Sequence, residues 1–283
     1  MTSSELILTL ACPDRPGIVR AVASLIADRE ANIVDSNQFG DPGSRTFFMR
    51  VHFATEGRAD LAAWRSAFAE LAGPFDMTWQ LHDAATPPRV LILASRLGHC
   101  LNDLLYRWQT GALHAVVAGV ASNHDDHAAL VATYGVPYRR LPHDASIDAR
   151  DQALLDLVDE IDAELVVLAR YMRVLGPRAC KRLAGRAINI HHSFLPSFKG
   201  ADPYRQAYER GVKLIGATAH YVTAELDEGP IIEQEVARVD HADGPRELAR
   251  VGRDVECVAL ARAVRWHVER RVLIHGQRTV VFR

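Results

Sequence analysis

The apolar residues change their pattern across one short stretch, Ala84-Ala85-Thr86-Pro87-Pro88, and this change constrains the fold more than any other feature of the 283-residue chain. Ahead of it, an apolar run over 6–10 leads through Cys12-Pro13-Asp14-Arg15-Pro16-Gly17 into Ile18, Val19, Val22, Leu25 and Ile26, which recur at helical spacing. That pattern predicts strand, loop and helix, with Pro16 suited to the first helical turn and Asp14 to a nearby N-cap. A second strand is expected over 31–39. The turn Gly40-Asp41-Pro42-Gly43 reverses the chain into a strand over 46–53. There Phe47, Met49, Val51 and Phe53 alternate with Phe48, Arg50 and His52, the pattern of a strand covered on one face. A helix over 61–71 and a closing strand over 75–82 complete a β-α-β-β-α-β order, the ferredoxin-like arrangement, in residues 1–85.

The break itself is proline-containing and reads as a connector. Beyond it, apolar strands over 90–94, 114–120, 165–169 and 187–191 alternate with helical stretches over 99–109, 124–134, 148–161 and 177–184. An α/β domain with a Rossmann-like, mostly parallel sheet is the expectation for residues 86–283. In such a sheet ligands lie beyond the carboxyl ends of the strands, so the residues just after each strand are the first to search.

Composition narrows the partners. With 33 Lys and Arg against 35 Asp and Glu, the chain has no electrostatic footprint for nucleic acid or an anionic membrane, and a small-molecule partner is expected. Cysteines at 12, 100, 180 and 257 form no CxxC pair, which argues against a zinc ribbon or a dense disulfide framework. The start, MTSSELILTLACPDRPG, lacks a basic region followed by a long apolar core, and no apolar run reaches membrane-span length. A cytoplasmic protein is expected.

Two segments after strands carry chemistry. In Asn189-Ile190-His191-His192-Ser193-Phe194-Leu195-Pro196-Ser197-Phe198-Lys199-Gly200, period-two alternation puts Asn189 and His191 on one face. In His220-Tyr221-Val222-Thr223-Ala224-Glu225-Leu226-Asp227-Glu228-Gly229-Pro230, a strand runs into an acidic turn that could carry Asp227 to the same cleft. Acyl transfer needs a donor for the developing oxyanion, a proton carrier and an orienting carboxylate, roles that Asn189, His191 and Asp227 fit. By spacing alone, the same Asn-x-His pair also reads as a satisfied turn or a core histidine. No metal is implied, since the histidines lack partners at ligand spacing. His124 and His127, with Asp125 and Asp126, read as a solvated helix N-terminus. Arg262, Arg265, Arg270 and Arg271 read as the polar face of an amphipathic helix.

At these motifs the chain resembles the folate-dependent formyltransferase family, whose pattern is Asn-x-His-Pro-Ser-x-Leu-Pro followed by an Asp-containing loop before a Gly. The resemblance implies a catalytic triad of Asn189, His191 and Asp227. It implies a pteridine site formed by Tyr171, Met172, Arg173, Val174 and Leu175, closed by the loop Val222, Thr223, Ala224 and Glu225. Family members that formylate a phosphorylated acceptor have a glycine-rich loop after the first strand. Here that place reads Ala94-Ser95-Arg96-Leu97-Gly98-His99-Cys100-Leu101-Asn102, a poor phosphate cradle. With His192 in place of the family proline, the chain looks like the family's hydrolytic branch. The implied activity is hydrolysis of 10-formyltetrahydrofolate to formate and tetrahydrofolate, supplying formate for purine synthesis and balancing one-carbon pools, with no cofactor. His192 could be a second proton carrier or a packing residue. The amino-terminal Cys12–Val19 segment and Ala31-Asn32-Ile33 resemble an ACT domain. That resemblance implies an amino-acid effector, glycine or methionine, at Asp14, Gly17 and Asn32, and a homo-oligomer. The rival readings are an acceptor-dependent formyltransferase and a folate-binding sensor without turnover.

Overall fold

The computed structural model describes residues 3–195 and 203–283, so the Pro196–Gly200 end of the first motif lies outside the described residues. The chain divides into two compact units. One comprises the residues up to Pro87 with Arg270–Leu273 and Val280–Arg283, the other Pro88–Glu269 with Ile274–Thr279.

In the first unit, β1 (Ser3–Pro13), α1 (Ile18–Ala27), β2 (Asn32–Asp41), β3 (Thr46–Glu56), α2 (Leu61–Ala72) and β4 (Thr78–Asp83) form an antiparallel sheet of order β2-β3-β1-β4. Alternate residues Leu6, Leu8, Leu10 and Cys12 of β1 meet Ile18, Val22 and Ile26 of α1 in one core. Phe53 packs against Trp64 at 5.0 Å between ring centroids, and Asp60 caps α2 by accepting from the Ala62 and Ala63 N–H groups.

Five local expectations change here. The N-cap of α1 is Gly17 at φ 98°, not Asp14, because the chain enters the helix through a left-handed residue that glycine adopts without a Cβ clash. Pro16 therefore precedes the helix. The turn shifts to residues 42–45, where Asp41 accepts from the Gly43 N–H and the Ser44 hydroxyl. The second face of β3 is covered as well, by side chains of neighbouring β2: Phe48 stacks on Phe39 at 6.5 Å and Arg50 pairs with Asp35 at 3.1 Å. Residues Gly73–Phe75 form a 3-10 turn, so the closing strand starts at Thr78.

The second unit contains β5 (Arg89–Ala94), α3 (His99–Gln109), β6 (Val116–Ser122), α4 (Ala128–Thr133), β7 (Tyr138–Arg140), α5 (Ile147–Glu160), β8 (Leu165–Leu168), α6 (Pro177–Arg182) and β9 (Ala187–His191). It continues with α7 (Pro203–Glu209), β10 (Leu214–Tyr221), β11 (Ile231–Arg238) and α8 (Pro245–Val268), and the chain closes on the hairpin β12 (Val272–His275) and β13 (Arg278–Val281). The sheet order is β11-β10-β9-β8-β5-β6-β7. Strands β5 to β9 pair in parallel, and β10 and β11 add an antiparallel edge that apolar patterning had not separated from the rest. Val90 to Ala94 and Leu165 to Val167 are at most 1 % exposed, as expected of strands covered on both faces. Helix α4 starts at Ala128, later than expected. His127 at its N-cap is buried rather than solvated, because its ring fills the space left by the missing side chain of Gly98. Among the described residues no helix is long and apolar enough to cross a membrane.

Candidate active site

Three neighbouring strands place the chemistry. The register sets Asn189 of β9 between Leu168 of parallel β8 and His220 of antiparallel β10. Two residues on, His191 projects from the same face at the end of β9. After β10 the chain doubles back. The Val222 N–H donates to the Ala187 carbonyl at the start of β9, yet Asp227 reaches His191 at its end. The return needs Gly229, where a Cβ would overlap the Tyr221 carbonyl, and it holds Asp227 at φ 58° in the left-handed region. On the other side Ser95, 3 % exposed, donates to Asn123 Oδ1 at 2.7 Å and accepts the Met172 N–H at 3.0 Å, fixing the segment that leaves β8.

Protonation states follow from this geometry. His191 Nδ1 lies 3.3 Å from Asp227 Oδ2, and that hydrogen bond holds the Asp227 carboxyl below its usual range. The opposite nitrogen, Nε2, is buried without a hydrogen-bond partner among the described residues. His220 Nδ1 lies 2.9 Å from the Tyr221 carbonyl and must donate to it, so its Nε2 accepts from Asn189 Nδ2 at 3.2 Å. Burial keeps the His220 ring neutral by pushing its pKa down, so its 3.8 Å approach to Asp227 is not an ion pair. The Asn189 amide is thereby oriented, with one N–H left to donate into the cleft.

These groups share a cavity of about 290 Å³. Asn189, His191 and Asp227 line it, as do Met172, Arg173, Val174 and Leu175 on one side and Val222, Thr223, Ala224 and Glu225 on the other. The three residues named for an effector are not gathered in one place. Asp14 donates its N–H to Arg45, and with Gly17 it sits at the end of the first sheet where Pro13 faces Thr46. Asn32 faces Ala54, eight positions along β3 and so roughly 27 Å away by strand rise.

The formyl transferase family model matches residues 88–264, and the ACT domain model matches residues 6–68. A formyltetrahydrofolate deformylase from Corynebacterium sp. (strain P-1) is 53% identical over 279 residues, covering 98% of each chain. A solved formyltetrahydrofolate deformylase from Burkholderia mallei superposes with a TM-score of 0.94 at 52% identity, over 99% of this chain and 100% of that one. The chain belongs to the formyltetrahydrofolate deformylase family. A glycinamide ribonucleotide transformylase from Symbiobacterium toebii is more distant, with a TM-score of 0.66 at 32% identity over 72% of this chain and 98% of that one.

Beside the cavity, this member of the deformylase family carries a network that local sequence patterns did not reveal. Glu256 of α8, 1 % exposed, accepts from His99 at 2.7 Å and from the Tyr204 hydroxyl at 2.6 Å, and pairs with Arg170 Nε at 3.4 Å. Burial alone would raise its carboxyl, but His99, Arg170 and Tyr204 together hold it below the usual range. His99, Cys100 and Glu256 offer ligand atoms within 4.8 Å of one another. The bonds already made to Glu256 account for that cluster as a hydrogen-bonded hub. The available signal was positional: Gly252, Val255, Glu256 and Ala259 follow the i, i+3, i+4, i+7 spacing of a buried stripe, where a carboxylate is out of place. His220 could have been found as a second histidine on the strand leading to Asp227.

His192 sits 5.0 Å from His191 ring to ring. Burial, with the Arg170 and His191 charges added, pushes it down to about 4. Burial therefore holds the ring neutral near pH 7, a state that suits a packing residue. Its folded pKa lies below the usual 6.5, so the unfolded chain binds more protons between pH 6.5 and 4. The stability contributed is complete above pH 6.5 and is lost as pH falls towards 4, up to about 3 kcal/mol. His192→Gln is expected to flatten the fall in urea midpoint across that window, and a slope equal to wild type would show that the ring is not held neutral. Arg262 pairs with Glu235 and Arg265 with Glu269 on the outer face of α8, whereas Arg270 and Arg271 lie beyond its end.

Proposed function

We propose that the chain hydrolyses 10-formyltetrahydrofolate to formate and tetrahydrofolate, with Asn189, His191 and Asp227 as its catalytic residues. The observation that carries this reading is one imidazole, His191, with Asp227 on Nδ1 and an unpartnered, buried Nε2 in the cavity wall. Asp227 fixes the tautomer, leaving Nε2 as the base that takes a proton from an attacking water. The water oxygen bonds to the formyl carbon, and the free N–H of Asn189 donates to the formyl oxygen as it becomes an oxyanion. The C–N10 bond then breaks, N10 takes the proton back from His191, and formic acid loses its own proton to solvent. Every atom comes from folate or water, and the reaction as written calls on no cofactor.

Met172, Arg173, Val174 and Leu175, with Val222, Thr223, Ala224 and Glu225, receive the folate, since both segments line the cavity that holds His191. The formate feeds purine synthesis and the reaction balances one-carbon pools, in a cytoplasmic homo-oligomer. Residues 86–283 form the catalytic domain. Residues 1–85, an ACT-type domain, answer to glycine or methionine, with Asp14 and Gly17 at one contact and Asn32 at a separate one.

The test is formate release from purified protein and 10-formyltetrahydrofolate without an amine. Stoichiometric formate and tetrahydrofolate are expected. Bound folate that turns over only when an amine is added would replace the hydrolase with a transferase, and bound folate without turnover in either case would indicate a sensor.

A further inference from the structure

One wall of the cavity is charged, buried and strained. Arg170 lines the cavity after β8 at φ 62°, a left-handed conformation suited to glycine, and is only 8 % exposed. Its partner is Glu256, which His99 and Tyr204 hold in place. Tyr204 is wedged against α8 where a Cβ on Gly252 would overlap its hydroxyl, and its ring lies 6.3 Å from that of His192, beside His191. No hydrogen bond joins Arg170 to Asn189, His191 or Asp227 among the described residues. A residue kept in such a conformation marks a functional constraint, and the proposed proton transfers do not use this one.

The reaction itself indicates what is constrained. An amine is a better nucleophile than water, and a solved relative with this fold at 32% identity is a transformylase. Asp227 is the carboxylate against His191, whereas Glu256 lies behind Arg170 on the Tyr204 and His192 side, where it could accept a hydrogen bond from an incoming neutral amine were the guanidinium not paired with it. We propose that Arg170, fixed by Glu256, is a specificity-determining residue that closes the cleft to amines, so that water alone reaches the formyl carbon. The inference rests on the hydrolase reading. Glycine at position 170 would relieve the backbone, open the volume of the arginine and leave Glu256 without its guanidinium partner, as an acceptor for the N–H of a neutral amine.

The test gives Arg170→Gly and wild type 10-formyltetrahydrofolate with glycinamide and measures N-formylglycinamide against formate. In the transfer, the amine lone pair forms the new C–N bond, the C–N10 bond breaks, and a proton from the amine passes through His191 to N10. Wild type is expected to give formate, and the variant to raise the N-formylglycinamide to formate ratio at least about tenfold. Adding Glu256→Gln should return the ratio towards wild type. The ratio is independent of how much of a preparation folds. Arg170→Asn, which tolerates the same φ, gives the same readout, and should neither variant fold, Tyr204→Phe loosens Glu256 and should raise the ratio about threefold. A folded variant that makes formate at the wild-type ratio overturns the inference, as does wild type that formylates glycinamide readily. No formate from wild type would instead remove the hydrolase reading.

Discussion

Asp227→Asn is expected to lower kcat for formate release by about 10³ to 10⁴-fold while folate binding stays within about twofold. The substitution suits the backbone, because asparagine adopts the left-handed conformation that Asp227 holds at φ 58° at least as readily as aspartate does. It keeps the volume beside His191 and changes only charge and hydrogen bonding. An amide at this site can present its N–H₂ to His191 Nδ1, which favours the tautomer with the proton on Nε2, the nitrogen that must act as base. It also leaves an imidazolium at His191 without its counter-charge. Single-turnover formate release together with equilibrium folate binding separates the two effects. A variant with near wild-type kcat would remove Asp227 from the chemistry, and one that lost folate binding would make it a binding residue.

Asn189→Ala is expected to reduce kcat about 10² to 10³-fold, the usual cost of removing one donor to a developing oxyanion. The structure adds a diagnostic. His220 holds the Asn189 amide by accepting one of its N–H groups, so the alanine variant also leaves the His220 Nε2 unpaired in a buried setting. Some loss of stability should accompany the loss of rate, on the order of 1 to 3 kcal/mol for the unsatisfied group. If Asn189 acts only through structure, urea midpoints will fall and kcat of the folded fraction will not.

Much of the fold is legible locally. The apolar run of β1, the helical spacing of Ile18, Val22 and Ile26, and the continuous apolar runs of β5 and β8 report burial that those residues meet in the structure, whereas Val19 is exposed. The boundaries that moved did so for reasons beyond periodicity. Gly17 replaced Asp14 as a cap because of its φ, and β3 proved covered on both faces because sheet order, which no local pattern encodes, set Phe39 and Asp35 of β2 against its Phe48 and Arg50. In the candidate site, Asn189 and His191 were readable as a pair because two residues along a strand share a face. Asp227 could be nominated from its turn, but the doubling back that brings it to His191 depends on Gly229 against Tyr221.

By itself, then, the sequence determined the two-part pattern of elements, the strand that presents Asn189 and His191, and the turn that contains Asp227. Tertiary structure alone decided which His220 nitrogen orients Asn189, that His192 is neutral, and that Glu256 meets His99 across 157 positions of chain and holds Arg170 beside the cleft. The physical reason is range. Propensity and periodicity act over a few residues, whereas protonation and hydrogen-bond direction are set by burial and by partners that become neighbours only when distant segments pack together.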